Sequence, residues 1–211
     1  KRPMTIVRSN AEYRFNDKHS LNLNYVLNRA GNKQYDEMDK TYVPTNDVLV
    51  KHIVGLSYNQ SFLDGKLNNV FFLKDYINHL KVEQTELSFI TGSDEVKPSN
   101  TQSYWGYGVG TRFTVSEPWA IKASYEHSVR LPIARELLGN GSTIYPNIAL
   151  RPESSENFNL GLFGNITLAP SHHLYYEVNG FIRLVDDYIK TTVKEQEGMM
   201  QYENVEAVHI K

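Results

Sequence analysis

The feature that most constrains this chain is an alternation of apolar and polar residues with a period of two, which recurs along most of its length. Within 120–130 the odd positions are mainly apolar and the even positions are mainly polar. The segments 21–28, 104–115 and 157–168 repeat the pattern. In a helix this period would scatter apolar residues around the whole circumference, so the pattern favours β-strands.

Nine strands are predicted from this alternation. Val70 and Phe72 interrupt the polar positions of the fourth strand, and Phe163 does so in the seventh. Most of the strands exceed the roughly 5–6 residues usual in soluble sheets and reach the roughly 9–11 residues that cross a bilayer at a tilt. The predicted strands lie near 5–15, 20–30, 48–62, 66–76, 102–115, 119–130, 154–168, 173–187 and 200–211.

The connections between these strands alternate strictly between short and long. Outer-membrane barrels have short periplasmic turns and long extracellular loops, whereas a Greek-key sandwich has no reason to alternate. The predicted fold class is therefore all-β: an antiparallel up-and-down transmembrane β-barrel, present as a partial barrel of about nine strands. The short connections lie at 16–19, 64–65, 116–118 and 169–172, and the long ones at 31–47, 77–101, 131–153 and 188–199.

Composition narrows the function classes. The chain has no cysteine, a formal net charge of -2 and a mean hydropathy of -0.47. It has no run of about 18 apolar residues, which excludes a transmembrane helix, but a barrel strand needs only every second residue to be apolar. The balanced charge argues against nucleic acid as a partner. A soluble β-rich protein would have a similar composition, so composition alone does not separate the two classes.

Three glycines, Gly106, Gly108 and Gly110, alternate within one predicted strand. They invite comparison with a nucleotide-binding loop, but no helix follows whose N-terminus would bind a phosphate. Glycines two residues apart lie on one face of a strand, where they permit the close approach of another chain segment. A packing role is therefore predicted for them.

Residues between 130 and 161 follow a characteristic order. Arg-Leu-Pro at 130–132 ends a predicted strand, and the later residues precede a strand rich in Asn and Gly. With this order the stretch 119–188 resembles the C-terminal part of the barrel of TonB-dependent outer-membrane receptors. One departure is Ile148, where that family usually has Pro. The residues assigned to the family-motif loop are Arg130, Leu131, Pro132, Glu136, Asn147, Leu150, Pro152 and Glu153.

The resemblance implies that 1–211 is part of one outer-membrane β-barrel domain, without the plug domain and the C-terminal strand of such receptors. The implied location is the outer membrane of a Gram-negative bacterium. The implied partners are outer-membrane lipid, a plug domain of the same receptor, the TonB complex acting through that plug, and an imported solute. Six residues are predicted to face the lumen and the plug: Gly106, Gly108, Gly110, Arg112, Lys122 and Glu126.

No catalytic residue, metal site or cofactor is predicted, because the sequence has no nucleophile elbow, no HExxH helix and no P-loop. The expected function is import of a scarce solute, either a metal chelate, a cofactor or an oligomer. Two alternatives remain open at this point. One is a small self-contained outer-membrane barrel acting as a channel or enzyme, and the other is a soluble β-rich binding module.

Three structural placements follow from this interpretation. The loop 131–153 is expected to be extracellular, with a helical turn near 134–138 that follows Pro132 and ends at Gly139. His52 and His127 are expected at the outer membrane interface and not as metal ligands. In the sixth strand, Ile121, Ala123, Tyr125 and Val129 are expected to face lipid, while Lys122, Ser124, Glu126 and Arg130 face the lumen.

Overall fold

A computed structural model of the chain describes residues 3–33, 46–82, 99–116, 118–140, 143–194 and 198–210. These ranges contain twelve strands and one short helix. The elements are β1 (Met4–Asn16), β2 (His19–Lys33), β3 (Asn46–Phe62), β4 (Leu67–Lys81), β5 (Ser99–Ser116), β6 (Trp119–Arg130), α1 (Ala134–Leu138), β7 (Ile144–Tyr145), β8 (Glu153–Ala169), β9 (His172–Asp186), β10 (Tyr188–Lys194), β11 (Met199–Val205) and β12 (Val208–Ile210).

The main sheet has nine strands in the order β1-β2-β3-β4-β5-β6-β8-β9-β12, and every neighbouring pair is antiparallel. A second sheet of three strands has the order β10-β11-β7. Each long strand therefore pairs with the next long strand along the chain. This arrangement confirms the predicted all-β, up-and-down partial barrel.

The strands extend further toward the long connections than the alternation predicts. β4 continues to Lys81 and β5 begins at Ser99, because the ladder between them persists through pairs such as Ile77 with Ser103. The residues in this extension are largely polar on both strands. The backbone hydrogen-bond ladder, not the apolar pattern, sets these strand ends.

The predicted strand at 200–211 is wrong, because that segment is divided between two sheets. β11 pairs with β10, and β12 pairs with β9 in the main sheet. The segment 188–194, predicted as part of a connection, forms β10. Asp187 has a φ of 53°, and this left-handed residue ends β9 and turns the chain away from the main sheet.

The register gives the main sheet one apolar and one polar face. Residues directly paired across strands lie on the same side of a sheet. Ile121 pairs with Phe113 and with Leu162, and Leu162 pairs with Val178. This apolar face is exposed in the isolated sheet; Leu160, for example, is 62% exposed. The face separation predicted for β6 is confirmed, while its assignment to lipid and lumen stays a prediction.

Aromatic side chains cluster at the short turns. Tyr13 and Phe15 make an edge-to-face pair with 5.0 Å between ring centroids before the first turn. Near two later turns, Trp119 lies 5.3 Å from Tyr176, whose hydroxyl donates a hydrogen bond to the Pro118 carbonyl at 2.5 Å. These contacts brace neighbouring turns against each other at one end of the sheet.

The main buried cluster lies at the opposite end, where the long connections meet the polar face. Leu49 and Leu80 are paired on that face, and α1 supplies Leu137 and Leu138. We call the segment 131–152 together with the β10–β11 hairpin the cap. The buried cluster also contains Val82, Leu150 and Ile189, and Ala134, Ile148 and Tyr202 are partly buried against it.

In the described parts of the chain, no helix is both long and apolar enough to span a bilayer.

Candidate functional site: the polar face and its cap

The cap helix is short and is fixed by local hydrogen bonds. Ile133 is extended and precedes the helix, and its backbone N–H donates to the Glu136 carboxylate at 2.8 Å. Gly139 ends the helix with a φ of 63°, a conformation that glycine adopts without a steric penalty. The predicted helical turn at 134–138 is confirmed.

Arg130 joins the two ends of the cap segment. Its guanidinium donates to Glu136 in α1 at 3.1 and 3.2 Å, and it also donates to Glu153, the first residue of β8. Glu136 is 7% exposed and Glu153 4% exposed. Two buried carboxylates thus share one cation, so the guanidinium offsets a desolvation cost that neither carboxylate would tolerate alone.

Asn147 connects the cap segment to the hairpin. Its side-chain amide donates to the Tyr202 carbonyl at 2.8 Å, and its side-chain oxygen accepts from the Ala149 N–H at 3.1 Å. Its backbone N–H donates to the Leu137 carbonyl at 2.9 Å. Ile148, the departure from the family pattern, packs against the apolar cluster.

Three residues of the family-motif loop, Arg130, Glu136 and Glu153, meet in one ionic clasp. Asn147 links the same segment to the backbone of the β10–β11 hairpin. The other four residues are buried, and one of them, Leu150, belongs to the apolar cluster. These four are Leu131, Pro132, Leu150 and Pro152. A role of these residues toward a solute remains a prediction.

The glycines of β5 have different neighbours. A Cβ at Gly106 would lie 3.0 Å from the Tyr76 ring, and one at Gly108 would lie 2.9 Å or less from two atoms of the Phe72 ring. Rings from β4 therefore cover these two positions. Gly110 has no such cover, since its nearest neighbour would be the Ser124 Cβ at 3.9 Å. Contact with a plug stays a prediction for all three, and Gly110 is the one left accessible.

The β4 aromatic residues were missed as partners of these glycines by sequence reasoning. The available signal was the pair of interruptions at Val70 and Phe72 in an otherwise polar face. Phe72 pairs directly with Gly108 in the sheet. A large ring opposite a glycine fills the space that the glycine leaves. This accounts both for the apolar Phe72 on the polar face and for the missing side chain at Gly108.

The polar face carries an ion pair at mid-strand. Lys74 in β4 lies 3.0 Å from Glu126 in β6, across the gap left by Gly106 and Gly108 in β5. Next to it, the Asn157 amide donates to Ser128 and Ser155 within 3.2 Å. Glu126 thus belongs to a hydrogen-bonded polar wall. Its partner Lys74 was not among the predicted residues.

Arg112 and Lys122 lie nearer to the short turns. The Arg112 Cζ is 4.9 Å and the Lys122 Nζ 4.3 Å from the centroid of the Phe163 ring. Phe163, an apolar residue among the polar positions of β8, thus makes cation–π contacts with both cations. A depression of about 320 Å³ adjoins them, with Gly110 and Asn68 also in its wall.

The apolar face also holds polar groups toward the long connections. His127 Nδ1 lies 2.6 Å from the Glu156 carboxylate, which also accepts from the Tyr125 hydroxyl at 2.7 Å. His52 Nδ1 lies 2.8 Å from the Tyr25 hydroxyl. Each of the two histidines therefore has a hydrogen-bond partner at Nδ1. Their placement at the outer interface stays a prediction.

No group of three or more histidine or acidic side chains in the described ranges is arranged to hold a metal ion.

A two-faced, up-and-down sheet with turns at one end and a folded cap at the other defines the wall of an outer-membrane-type barrel. The chain belongs to the TonB-dependent receptor family, because the model of the family "TonB dependent receptor-like, beta-barrel" matches residues 4–211. No curated protein sequence matches the chain.

Solved structures share this fold. The copper transporter OprC superposes with a TM-score of 0.76 at 16% identity, over 99% of this chain and 33% of that one. A double mutant of the Serratia marcescens hemophore receptor HasR, in complex with its hemophore HasA and heme, gives 0.62 at 18% identity, over 99% and 38%. The FrpB iron transporter from Neisseria meningitidis gives 0.66 at 12% identity, over 98% and 32%. The chain spans about a third of the length of these receptors.

Proposed function

We propose that this chain forms part of the barrel wall of a receptor that imports a scarce solute across the outer membrane of a Gram-negative bacterium. The observation that carries the proposal is the coincidence of three asymmetries in one sheet. The apolar face, the short turns and the folded cap each occupy a separate side or end. Outer-membrane barrels combine a lipid-facing apolar surface, short periplasmic turns and long extracellular loops in this way.

The lipid assignment follows from the cost of charge. A lysine or arginine on the lipid-facing midplane of a barrel costs about 2–4 kcal/mol. Arg112, Lys122 and Lys74 all lie on the polar face by register. We therefore infer that the polar face lines the lumen and that Ile121, with its paired neighbours, contacts lipid.

The cap supports an extracellular role in solute capture. Loops in such barrels are long on the outer side, and binding by loops and lumen shape requires a surface of defined geometry. Here the clasp at Arg130 and the apolar cluster around Leu137 hold residues 131–140 and 143–152 against the polar face. The protein acts by binding and passage of its solute and not by covalent chemistry.

The partners in this proposal are outer-membrane lipid, a plug domain of the same receptor filling the lumen, and the TonB complex that moves the plug. The solute is a metal chelate, a cofactor or an oligomer. The names of the similar structures refer to copper, iron and a hemophore with heme. These names define the first solutes to test.

The test measures uptake by the complete receptor in its host. Strains with the receptor, without it, and without TonB are supplied with copper, an iron chelate or haem. We expect the uptake of one solute to require both the receptor and TonB. Equal uptake of all three solutes in the three strains would contradict the proposal for these solutes, and a barrel absent from the outer-membrane fraction would contradict it altogether.

The cap is tested in the same strains. Replacing residues 131–152 by a short glycine linker should abolish uptake while the barrel still assembles in the outer membrane. The control is the substitution Arg151→Gln, which removes an exposed ion pair to Asp187 and leaves the clasp in place. Unchanged uptake without the cap would show that solute capture lies elsewhere.

A further inference from the structure

Two cations lie opposite each other on the polar face without a carboxylate partner. Arg112 in β5 pairs directly with Lys122 in β6. Like charges in this position destabilise a sheet. Among the described residues, no carboxylate forms an ion pair with either side chain. The contrast is Lys74 on the same face, which lies 3.0 Å from Glu126.

Phe163 holds both cations in place without neutralising them. Its ring is 8% exposed and lies within 5 Å of the charged groups of both Arg112 and Lys122. The face of an aromatic ring attracts a cation through its quadrupole. This attraction accounts for the position of the side chains. Among the residues that the structure describes, no carboxylate compensates the charge repulsion between Arg112 and Lys122.

The space beside the cations is a depression of about 320 Å³. Gly110 leaves its floor open, and Asn68, Ser124 and Asn179 add uncharged polar groups to the wall. An acidic residue, Glu177, lies on β9, two strands from β6. Its carboxylate accepts hydrogen bonds from Asn179 at 3.1 Å and from Tyr175 at 3.4 Å. Glu177 pairs with Phe163 in the register, but among the described residues it forms no ion pair with Arg112 or Lys122.

We propose that this pocket binds an oxyanion, a carboxylate being the simplest, with Arg112 and Lys122 as its charged donors. Arginine offers a planar fork that matches a carboxylate, and lysine adds a compact second charge. The proposal rests on the proposed function in one respect, that the polar face lines the lumen. Two sources share this chemistry: an anionic group of the solute in passage, and an acidic side chain of the polypeptide that fills the lumen.

The first arm of the test detects a polypeptide source. The complete receptor, purified in detergent, is treated with a zero-length carbodiimide that joins an amine to a carboxylate in contact, and the products are mapped by mass spectrometry. Lys74 and Glu126 are the internal positive control. A cross-link from Lys122 to an acidic residue of the lumen-filling domain would support the proposal and identify that residue as the oxyanion.

The second arm detects a free anion. Lys122 is acylated with a water-soluble reagent in the presence and absence of citrate or inorganic phosphate, with the turn residue Lys18 as an unprotected reference. Saturable loss of labelling at Lys122, abolished by Arg112→Gln and retained in Arg112→Lys, would support the proposal with the solute as source. The conservative variant separates loss of binding from loss of folding.

The proposal is overturned if Lys122 forms no cross-link and is acylated at the same rate with and without the anions. Neither arm measures uptake. The cross-linking and acylation of Lys122 can therefore be measured even in a receptor that imports none of the tested solutes. Conversely, a receptor can show TonB-dependent uptake while its Lys122 is neither cross-linked nor protected. This result would overturn the proposed oxyanion pocket and leave the proposed function supported.

Discussion

At the scale of single residues, charge placement distinguishes structural from functional positions. Arg130 is surrounded by two buried carboxylates, Lys74 has one partner, and Arg112 with Lys122 has none among the described residues. All four cations lie on the polar face of the sheet by register. The side chains around each cation therefore distinguish the clasp at Arg130, the ion pair of Lys74 in the polar wall, and the candidate anion pocket at Arg112 and Lys122.

Arg130→Gln should loosen the cap without unfolding the barrel. The substitution leaves the buried Glu153 without its ion-pair partner, and it leaves Glu136 with only the longer-range attraction of Lys51. Breaking a buried pair typically costs about 3–5 kcal/mol. Because the Arg130 side chain is 40% exposed, we expect a cost below that range, about 2–3 kcal/mol. Hydrogen exchange at the amides of α1 measures the opening.

The matched control is Arg151→Gln, since Arg151 is 69% exposed and its pair with Asp187 contributes about 0–1 kcal/mol. Equal exchange rates in the Arg130→Gln variant and the native receptor would show that the clasp contributes nothing to cap stability.

At the scale of elements, strand pairing explains positions that appear anomalous within a single strand. Phe72 interrupts the polar face of β4 and Gly108 leaves a gap in β5, yet the two are directly paired. Sequence reasoning treats each strand separately, and the register between strands is set by the backbone ladder and the turns. The predicted packing role of the glycines is therefore realised within the sheet at Gly106 and Gly108.

Gly108→Ala should destabilise the barrel by about 1–3 kcal/mol, the usual cost of overpacking. Its Cβ would meet two atoms of the Phe72 ring at 2.9 Å or less and the Tyr125 carbonyl at 2.5 Å. Gly180→Ala is the control, because nothing lies within 4 Å of its Cβ. The temperature at which the folded barrel loses its compact migration in electrophoresis reports the difference. Equal temperatures for the two variants would contradict the packing role.

Leu137→Ala should release α1 from the cap. Leu137 is 2% exposed in the apolar cluster, and truncation of a buried leucine costs about 2–5 kcal/mol. Ile133→Ala, one turn earlier on the same segment, is the control because Ile133 is 51% exposed. Limited proteolysis of the receptor should cut the segment 131–152 faster only in the Leu137 variant. Similar cleavage of both variants would show that the cap is not held by this cluster.

At the scale of the whole molecule, the proposed membrane placement reverses the usual rule for exposed residues. In a soluble protein, an exposed Leu160 would tolerate replacement by lysine within about 0.5 kcal/mol. In a barrel wall the same position faces hydrocarbon and the substitution costs about 2–4 kcal/mol near the midplane. The two environments therefore predict different outcomes for one mutation.

We expect Leu160→Lys to destabilise the receptor in lipid vesicles, as measured by denaturant titration. Asn22→Lys, on the polar face opposite Glu12, should remain within about 0.5 kcal/mol of the native protein. If Leu160→Lys were as stable as Asn22→Lys, the apolar face would not contact lipid, and the proposed function would lose its main support.

The sequence by itself determined eight of the nine predicted long strands, their up-and-down order and the two faces of the sheet. These properties depend on local alternation and on connection length, which are readable in the chain. It also predicted the helical turn at 134–138, because Pro132 and Gly139 bracket it.

Only the tertiary structure decided where 200–211 divides between two sheets, and which partners Arg130, Phe72 and Phe163 have. The physical reason is that these outcomes depend on pairing between segments distant in the chain. Such pairing is set by register and packing, and one strand's alternation carries no information about it.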